Sequence, residues 1–341
     1  MRTILIVGGY GTVGRKIARQ LAQRGDMAVI IAGRNLDKAQ SAAKDLGVAA
    51  RKIDIEDAAT WGSALASVDL VVAAIDQSET GFVEHLGAQR IAYIDVTAGD
   101  AFFRKVEALD LPRPTLLSVG LAPGLTNLLA VNAASDIETL DSIDIGILMG
   151  TGDEHGAAAI AWSTAQMFDP EAPRNDKVLE FGPGFGRRKA YFMDFADQHV
   201  LNRTLGSAKA VTRVTYDSAF LTAALFWAGR RFAGNKTVEG IVRRISHMPT
   251  FGTDKCVLSV TATGRTNGQP ILRSAHFYGQ REASVTAAVA VATVEEMLAG
   301  RIKNGVQHIH QCIEPATIFA KLEKWGHGRF ASPPLRSTVV P

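Results

Sequence analysis

The chain has 341 residues, 47% of them hydrophobic and 21% charged, as in a globular protein large enough for two domains. Its 37 basic and 34 acidic residues nearly cancel and are interspersed, which argues against nucleic acid as a partner. Cys256 and Cys312 lie far apart without a CxxC spacing, so we expect no disulfide framework and no zinc site, and a reducing cytoplasm fits best. The apolar stretches at 219–229 and 285–294 are shorter than the roughly 20 residues of a membrane span.

Short apolar runs alternate with helical patterns up to about residue 120, which predicts parallel strands joined by crossover helices. The runs are Ile4–Val7, Ala28–Ala32, Arg51–Ile55, Leu70–Ile75, Ala92–Val96 and Leu116–Val119. Between the first two runs, Val13, Ile17 and Leu21 recur on one helical face. We therefore predict an α/β fold whose N-terminal domain, residues 1–125, is a doubly wound parallel sheet of six strands.

The pattern changes after Gly124. Residue-by-residue alternation in Val257–Ala262 and Ile271–Tyr278, on either side of Gly264–Gly268, predicts an antiparallel hairpin. A second hairpin is expected around Phe181–Gly186, and helical patterns occur at 156–168, 219–232 and 282–299. These signals predict a mixed α+β second domain at 126–300, followed by a C-terminal segment, 301–341, that packs back on the first domain.

A glycine motif follows the first strand and precedes the first helix, which is the context that a Rossmann dinucleotide-binding turn requires. Gly9 permits the tight turn, Gly11 lets the backbone approach a pyrophosphate, and Gly14 lets the helix pack close to the strand. The N–H groups at the start of the helix then face the phosphates. The residues expected to bind cofactor here are Gly9, Tyr10, Gly11, Thr12, Val13 and Gly14.

The end of the second strand predicts which dinucleotide is bound. A domain specific for NAD places Asp or Glu there to hold the ribose 2′-hydroxyl. This chain has Gly33-Arg34-Asn35 instead, and an arginine can bind the 2′-phosphate that a carboxylate would repel. NADP(H) is therefore the predicted cofactor, with Arg34 and Asn35 at its phosphate. Lys38, one turn later, either reinforces this site or is simply exposed.

Two further positions lie where such domains meet the cofactor. Asp54 follows the third strand, where it could accept from the adenine amine or cap the next helix. Ala74 lies at the end of the fourth strand, and its small side chain would let the ribose and nicotinamide of the cofactor pass over it.

Two common enzyme classes are disfavoured by missing residues. A short-chain dehydrogenase needs Tyr followed four residues later by Lys, and none of the five tyrosines has that partner. A zinc alcohol dehydrogenase needs clustered cysteine ligands, which the chain lacks.

The chain resembles the saccharopine dehydrogenase-like (saccharopine reductase) family over nearly its whole length. The resemblance is specific in the first domain and loose between about residues 130 and 300. The segments that carry it are Gly8–Gly14, Ala32–Asn35, Ala92–Thr97, Gly120–Asn127, Gly305-Val306, Glu314-Pro315 and Phe319–Glu323. It implies an NADP-dependent oxidoreductase that moves hydride between nicotinamide and a carbon bonded to nitrogen, in a small amino-acid-like substrate held in an interdomain cleft.

Candidate reactive groups follow the later strands. Asp95 ends the fifth strand, on the edge where ligands gather, and by resemblance it lies near the active cleft; its alternative role is to cap the turn into Ala98-Gly99-Asp100. Pro123 and Gly124 are expected to contact the nicotinamide and Asn127 the substrate, unless this segment is only the crossover between domains.

The second domain offers a carboxylate-binding residue, Arg188, and two proton-transfer candidates, Tyr191 and His155. The alternatives are a solvated basic hairpin arm for Arg188 and a structural or exposed role for His155, as for His199. The spacing of His308 and His310 would suit a metal on a strand, but no partner ligand is evident in the sequence, so we expect no metal.

Two other functions stay open at this point. A module that binds NADP without catalysis would keep the glycine turn and Arg34, and a carbonyl reductase would act on keto compounds without an amine. We also expect a homodimer, based on the apolar helix at 282–299 and the strands of the second domain, although core packing would explain the same residues.

Overall fold

The computed structural model describes residues 1–154, 156–206, 209–246 and 252–331. His155, one of the predicted proton-transfer residues, lies outside the described residues. Within this part of the chain, none of the helices is both long enough and apolar enough to cross a membrane.

The described residues form fourteen strands and thirteen α-helices. The strands are β1 (Arg2–Val7), β2 (Met27–Gly33), β3 (Ala49–Lys52), β4 (Leu70–Ala73), β5 (Ala92–Asp95), β6 (Pro114–Leu117), β7 (Thr139–Met149), β8 (Lys177–Glu180), β9 (Arg187–Phe192), β10 (Lys209–Tyr216), β11 (Lys255–Thr266), β12 (Gln269–Gln280), β13 (Gly305–His308) and β14 (Gly328–Ala331). The helices are α1 (Thr12–Ala22), α2 (Leu36–Leu46), α3 (Trp61–Ala64), α4 (Gly81–Ala88), α5 (Asp100–Glu107), α6 (Thr126–Ala134), α7 (Ala157–Met167), α8 (Ala196–Thr204), α9 (Ala219–Arg231), α10 (Lys236–Ser246), α11 (Glu282–Leu298), α12 (Ile309–Cys312) and α13 (Pro315–Lys324).

The first compact unit comprises Met1–Leu125 and Ala283–Trp325. Its sheet has seven parallel strands in the order β13-β6-β5-β4-β1-β2-β3. The strand order reverses at β1, so the carboxyl ends of β1 and β4 form the switch point at which doubly wound sheets bind ligands. Apolar side chains from Ile4 to Val7 are fully buried, as expected of strands covered on both faces. The predicted doubly wound parallel sheet is confirmed.

The seventh strand of this sheet is β13, which sequence analysis did not predict. It pairs in parallel with β6, from Gly305 opposite Pro114 to His308 opposite Leu117. Part of the C-terminal segment therefore extends the sheet itself rather than packing on it. The segment leaves this unit after Trp325.

Helix α11 belongs to the first unit almost entirely, so the units divide at Glu282 and Ala283 rather than at the predicted residue 300. Its side chains from Val285 to Val294, apart from Thr286, are buried, because Ala and Val cover every face of the helix. Core packing thus accounts for the apolar helix on which the homodimer was predicted. The homodimer itself stays a prediction, without this helix as its interface.

The second unit comprises Thr126–Glu282 and the segment that begins at Gly326. Its strands run in the order β14-β12-β11-β7-β10-β9-β8, and every pair except β7 with β10 is antiparallel. This confirms the predicted mixed second domain. The hairpin of β11 and β12 is longer than predicted because only Asn267 and Gly268 form its turn, both with positive φ (52° and 74°). An Asn-Gly pair is the preferred sequence for such a two-residue turn.

Candidate functional site

The glycine turn joins β1 to α1 at the switch point of the first unit. Gly8, not Gly9, takes the left-handed conformation, with φ of 76°, so the strained position lies one residue before the predicted motif. A Cβ built on Gly14 would lie 2.3 Å from the carbonyl oxygen of Gly8 and 2.8 Å from the Cα of Gly9. Helix and turn therefore approach as closely as predicted for a pyrophosphate site.

The first turn of α1 is suited to an anion. Gly11 is its N-cap, and no side chain caps the helix. Thr12 is exposed and Val13 half-buried at this end of the helix. Because the N–H groups of a first helical turn lack partners within the helix, this end of α1 favours a phosphate.

Arg34 lies at the end of β2, next to the glycine turn. Its side chain is exposed, and no described residue forms a hydrogen bond or ion pair with it. The preceding Gly33 makes room for Tyr10, since a Cβ there would lie 2.4 Å from the ring atom Cε1 of Tyr10. Asn35 accepts a hydrogen bond from the backbone N–H of Lys38 (2.9 Å) and so caps α2. The arginine thus stands just before a helix N-terminus, and both features attract a phosphate.

Asp54 follows β3 and folds back on its own loop. Its Oδ1 accepts from the backbone N–H of Glu56 (3.1 Å), and the short 3₁₀ turn Ala58–Thr60 is capped by Asp57 instead. The capping alternative for Asp54 is therefore wrong for this turn. Its Oδ2 accepts no hydrogen bond from the residues that the structure describes, which keeps the adenine contact as a prediction.

The carboxyl end of β4 lies beside the glycine turn. The backbone N–H of Ala74 donates to the carbonyl of Val7 (2.9 Å), which extends the pairing of β4 with β1 by one residue. A Cβ on Gly8 would lie 2.9 Å from the carbonyl oxygen of Ala74. The two strand ends therefore form one closely packed edge.

Asp95 ends β5, which neighbours β4 on this edge, and it is fully buried. Its Oδ1 accepts from the backbone N–H (2.8 Å) and the hydroxyl of Thr97, while Oδ2 accepts from the Tyr93 hydroxyl (2.5 Å) and the Gln77 amide (3.1 Å). Burial raises the pKa of Asp95 to about 6, against the hydrogen bonds, which favour the charged form. A group with this pKa can hold or release a proton near neutral pH.

The neighbours of Asp95 were not singled out by sequence analysis. Tyr93 is fully buried, and burial together with the Asp95 carboxyl raises its pKa well above the usual value. Gln77 also donates to the Tyr93 hydroxyl (2.5 Å), and its own Oε1 is a buried acceptor without a partner among the described residues. The available sequence signal was the polar pair Asp76-Gln77, which directly follows the fourth predicted strand on the ligand-binding edge.

The segment after β6 forms an irregular turn, Leu121–Leu125, before α6 begins at Thr126. Pro123 and Gly124 lie in this turn and are buried. They therefore precede α6, and their predicted contact with the nicotinamide stays a prediction. The backbone N–H of Val119 donates to the backbone carbonyl of Asp95 (3.2 Å). This bond attaches the segment to the Asp95 cluster, which consists of Asp95 and its hydrogen-bond partners Gln77, Tyr93 and Thr97.

Comparison with known families identifies the fold of this unit. The saccharopine dehydrogenase NADP binding domain matches residues 4–111. The predicted resemblance and the NADP(H) cofactor are thereby confirmed for this domain. The NADP binding domain ends before the turn at 121–125, so the match does not reach the second unit.

Two solved structures are similar to the whole chain. One is the apo, histidine-tagged saccharopine dehydrogenase (L-Glu forming) from Saccharomyces cerevisiae, with a TM-score of 0.72 and 15% identity over 97% of this chain and 100% of that one. The other is DAP dehydrogenase of C. glutamicum in complex with DAP, with a TM-score of 0.50 and 16% identity over 93% and 95%. At these identities the likeness shows the fold. Among curated proteins, no sequence matches the chain.

The other predicted site residues that the structure describes lie in the second unit. Asn127 is fully buried, and its amide donates to the carbonyl of Asp197 (3.5 Å). This bond holds α6 to α8, and the predicted contact of Asn127 with a substrate stays a prediction. Arg188 donates to the carbonyls of Phe185 (3.0 Å) and Asp217 (3.3 Å), so its guanidinium joins a hairpin turn to the start of α9.

Tyr191 stands on β9 in a stack of rings and cations. Its ring is parallel to that of Phe226, with centroids 4.3 Å apart, and Lys189 and Arg230 lie 4.9 and 5.2 Å from its centroid. These contacts fix the orientation of the ring. The predicted proton transfer by Tyr191 stays a prediction. In the same unit, the Nε2 atom of His199 lies 2.5 Å from Oδ1 of Asp194.

A second buried carboxyl, Asp197, escaped sequence analysis. It lies in the first turn of α8 and is fully buried, and its Oδ1 accepts from the backbone N–H of Gln198 and the hydroxyl of Thr212, both at 2.7 Å. Burial raises its pKa. In the part of the chain that the structure describes, no three His, Cys, Asp or Glu side chains are grouped to hold a metal.

Proposed function

We propose that the chain is an NADP(H)-dependent oxidoreductase that transfers hydride to or from a carbon bonded to nitrogen in a small amino-acid-like substrate. The observation that carries the proposal is the Asp95 cluster, a proton-holding group on the ligand-binding edge of an NADP binding domain. The names of the two similar structures agree with this chemistry, since both are dehydrogenases and one holds DAP.

The residues present fit the dinucleotide. The close approach of α1 to the glycine turn at Gly14, the uncapped start of α1 and the Arg34 guanidinium, which no described residue pairs, together provide a pyrophosphate site and a 2′-phosphate site. When bound, NADPH supplies the hydride. The protein has to orient the substrate and hold the proton that balances the added hydride, and Asp95 is the group that we assign to that proton.

The reaction class is tested with NADPH and a panel of keto acids, each offered with and without an amine. We expect the reduced nicotinamide absorbance to fall only when both are present, because the hydride acceptor is an imine. Turnover with keto acids alone would instead identify a carbonyl reductase. Tight NADPH binding without turnover across the panel would contradict the proposal.

A non-catalytic NADP-binding module is the second candidate. It is favoured by one observation, namely that both carboxyl oxygens of Asp95 already accept hydrogen bonds within the protein. Such a module would bind NADPH as a signal. The wild type would then show no turnover, and Asp95→Asn would bind NADPH as the wild type does.

Cofactor selectivity is tested by Arg34→Ala. The substitution is expected to raise the Kd of NADPH by about tenfold or more, the usual loss for a charge-assisted phosphate contact, and to leave the Kd of NADH unchanged. Both constants can be measured from quenching of protein fluorescence. Arg19→Ala serves as the control, since Arg19 is exposed in the last turn of α1, at the end opposite the glycine turn. An equal loss for NADH and NADPH would remove Arg34 from the phosphate site.

A further inference from the structure

A chain of hydrogen bonds in the first unit joins Ser118, directly after β6, to His308 at the end of β13 and to Glu107 at the end of α5. The Nδ1 atom of His308 lies 2.8 Å from the hydroxyl of Ser118, and its Nε2 atom lies 2.9 Å from Oε1 of Glu107. Ser118 is fully buried, and His308 is 2% exposed. Because a carboxylate only accepts, Nε2–H of His308 donates to Glu107, and we assign Nδ1 as the acceptor for the Ser118 hydroxyl.

The serine at the end of this chain has an unusual backbone. Ser118 follows β6 directly and adopts φ of 58°, in the left-handed region that favours glycine. A residue other than glycine remains there when its surroundings hold it in place. The hydrogen bond from the Ser118 hydroxyl to His308 is such a restraint, since it fixes the side chain that the backbone conformation directs inward.

The conformation of Ser118 sets the turn that follows it. A Cβ on Gly124 would lie 2.8 Å from the carbonyl oxygen of Ser118, so the turn folds back tightly on this residue. The backbone N–H of Leu125 donates to the carbonyl of Gly120 (2.8 Å). At the start of the turn, the N–H of Val119 donates to the carbonyl of Asp95. A change at Ser118 therefore reaches both the turn and Asp95.

The strand pairing of β13 does not require this side chain. Backbone pairing of Gly305, Val306 and Gln307 with β6 already attaches the strand, and the backbone N–H of His308 donates to the side chain of Gln311 (2.9 Å). The hydrogen bond to the imidazole fixes the orientation of the Ser118 side chain, which the backbone pairing of β13 with β6 does not determine.

We propose that His308 is a positioning residue for the active site of the first unit, holding Ser118 in its left-handed conformation and thereby placing the turn at 118–125 and the Asp95 carboxyl. Glu107 fixes the tautomer and orientation of the ring. The catalytic part of this inference rests on the proposed function, whereas its structural part does not.

Two substitutions of His308 separate its hydrogen bond to Ser118 from its hydrogen bond to Glu107. His308→Asn places an amide oxygen near the position of Nδ1, so it can still accept from Ser118, but it is too short to reach Glu107. His308→Gln extends toward Glu107 and loses the acceptor for Ser118. We expect His308→Gln to lower kcat by about tenfold while the Kd of NADPH stays within twofold, and His308→Asn to retain most of kcat.

A second measurement does not depend on turnover. Hydrogen exchange of the backbone amides at 118–125 should become about tenfold faster in His308→Gln than in the wild type, and much less so in His308→Asn. Ser118→Ala should match His308→Gln, and the double variant should be no worse than either single variant, because both remove the same hydrogen bond.

His310→Gln is the matched control. His310 is a buried histidine next to His308, with ring centroids 5.9 Å apart, and its own pKa is lowered to about 3 by burial and by His308. We expect this variant to lower the Tm without changing kcat or exchange at 118–125. The inference is overturned if His308→Gln leaves exchange unchanged, or if it lowers kcat, NADPH affinity and Tm in the same proportion as His310→Gln. If no substrate is found for the wild type, the proposed function fails while the exchange result still decides the positioning.

Discussion

Gly14→Ala is expected to weaken the binding of NADPH and NADH alike by more than about a hundredfold, because it displaces the turn that receives the pyrophosphate. The added Cβ would lie 2.3 Å from the carbonyl oxygen of Gly8 and 2.8 Å from the Cα of Gly9. Both are backbone atoms, so no side chain can rotate away to relieve the contact. Titration calorimetry with each dinucleotide measures the loss directly.

Gly62→Ala is the matched control for this substitution. Gly62 is exposed in helix α3 of the same unit, and a Cβ there would meet no atom within 4 Å. We expect its dinucleotide affinities to equal those of the wild type. If Gly14→Ala binds both dinucleotides as the wild type does, the pyrophosphate does not lie at this turn.

Asp95→Asn is expected to lower kcat by about a hundredfold, the usual contribution of a positioned proton donor. In the wild type, the protonated form of Asp95 gives the proton to the reduced product. Since burial raises its pKa to about 6, kcat/KM for reduction should fall as the pH rises through about 6. The variant should lack this inflection while binding NADPH normally.

Asp197→Asn provides the control for a buried carboxyl. In the wild type, burial also raises the pKa of Asp197, but Asp197 lies in the second unit and not on the edge of the NADP binding domain. Its pH profile should keep the inflection near 6. An unchanged profile in Asp95→Asn would assign the proton to another group.

The raised pKa of Asp95 also predicts how the free energy of unfolding changes with pH. A carboxyl whose pKa is higher in the folded than in the unfolded protein stabilises the fold when protonated. This contribution is fully present below about pH 4 and is lost as the pH rises through about 6. The asparagine variant, which cannot ionise, should therefore gain free energy of unfolding relative to the wild type between pH 4 and pH 7, as measured by urea denaturation.

The parts of the site that sequence analysis predicted are local along the chain. Glycine spacing next to a strand and a helix predicted the close approach at Gly14, and the absence of an acid after β2 indicated Arg34. The surroundings of such residues follow from neighbours within a few positions, because a strand, a turn and a helix start form one continuous unit. The left-handed residue still lay at Gly8 rather than within the expected motif.

The remaining parts depend on residues that are distant in the sequence. Ser118 and His308 are 190 positions apart, and Glu107 and His308 are 201 apart. The two-residue spacing of His308 and His310 suggested a shared strand, whereas β13 ends at His308 and helix α12 begins at Ile309. The burial of Asn127 next to α8 also could not be read from its local pattern, because Asp197 lies 70 positions away.

The sequence by itself determined a doubly wound domain with a glycine turn, an arginine in place of the NAD-specific acid, and a second domain rich in antiparallel strands. Periodicity and turn chemistry are sufficient for these features because each depends on adjacent residues. Only the tertiary structure added β13 to the sheet, moved α11 into the core of the first unit, and joined Asp95 to Gln77 and Ser118 to His308. Those arrangements come from packing between distant segments, where burial sets the pKa of Asp95 and hydrogen bonds hold Ser118 in an otherwise unfavourable conformation.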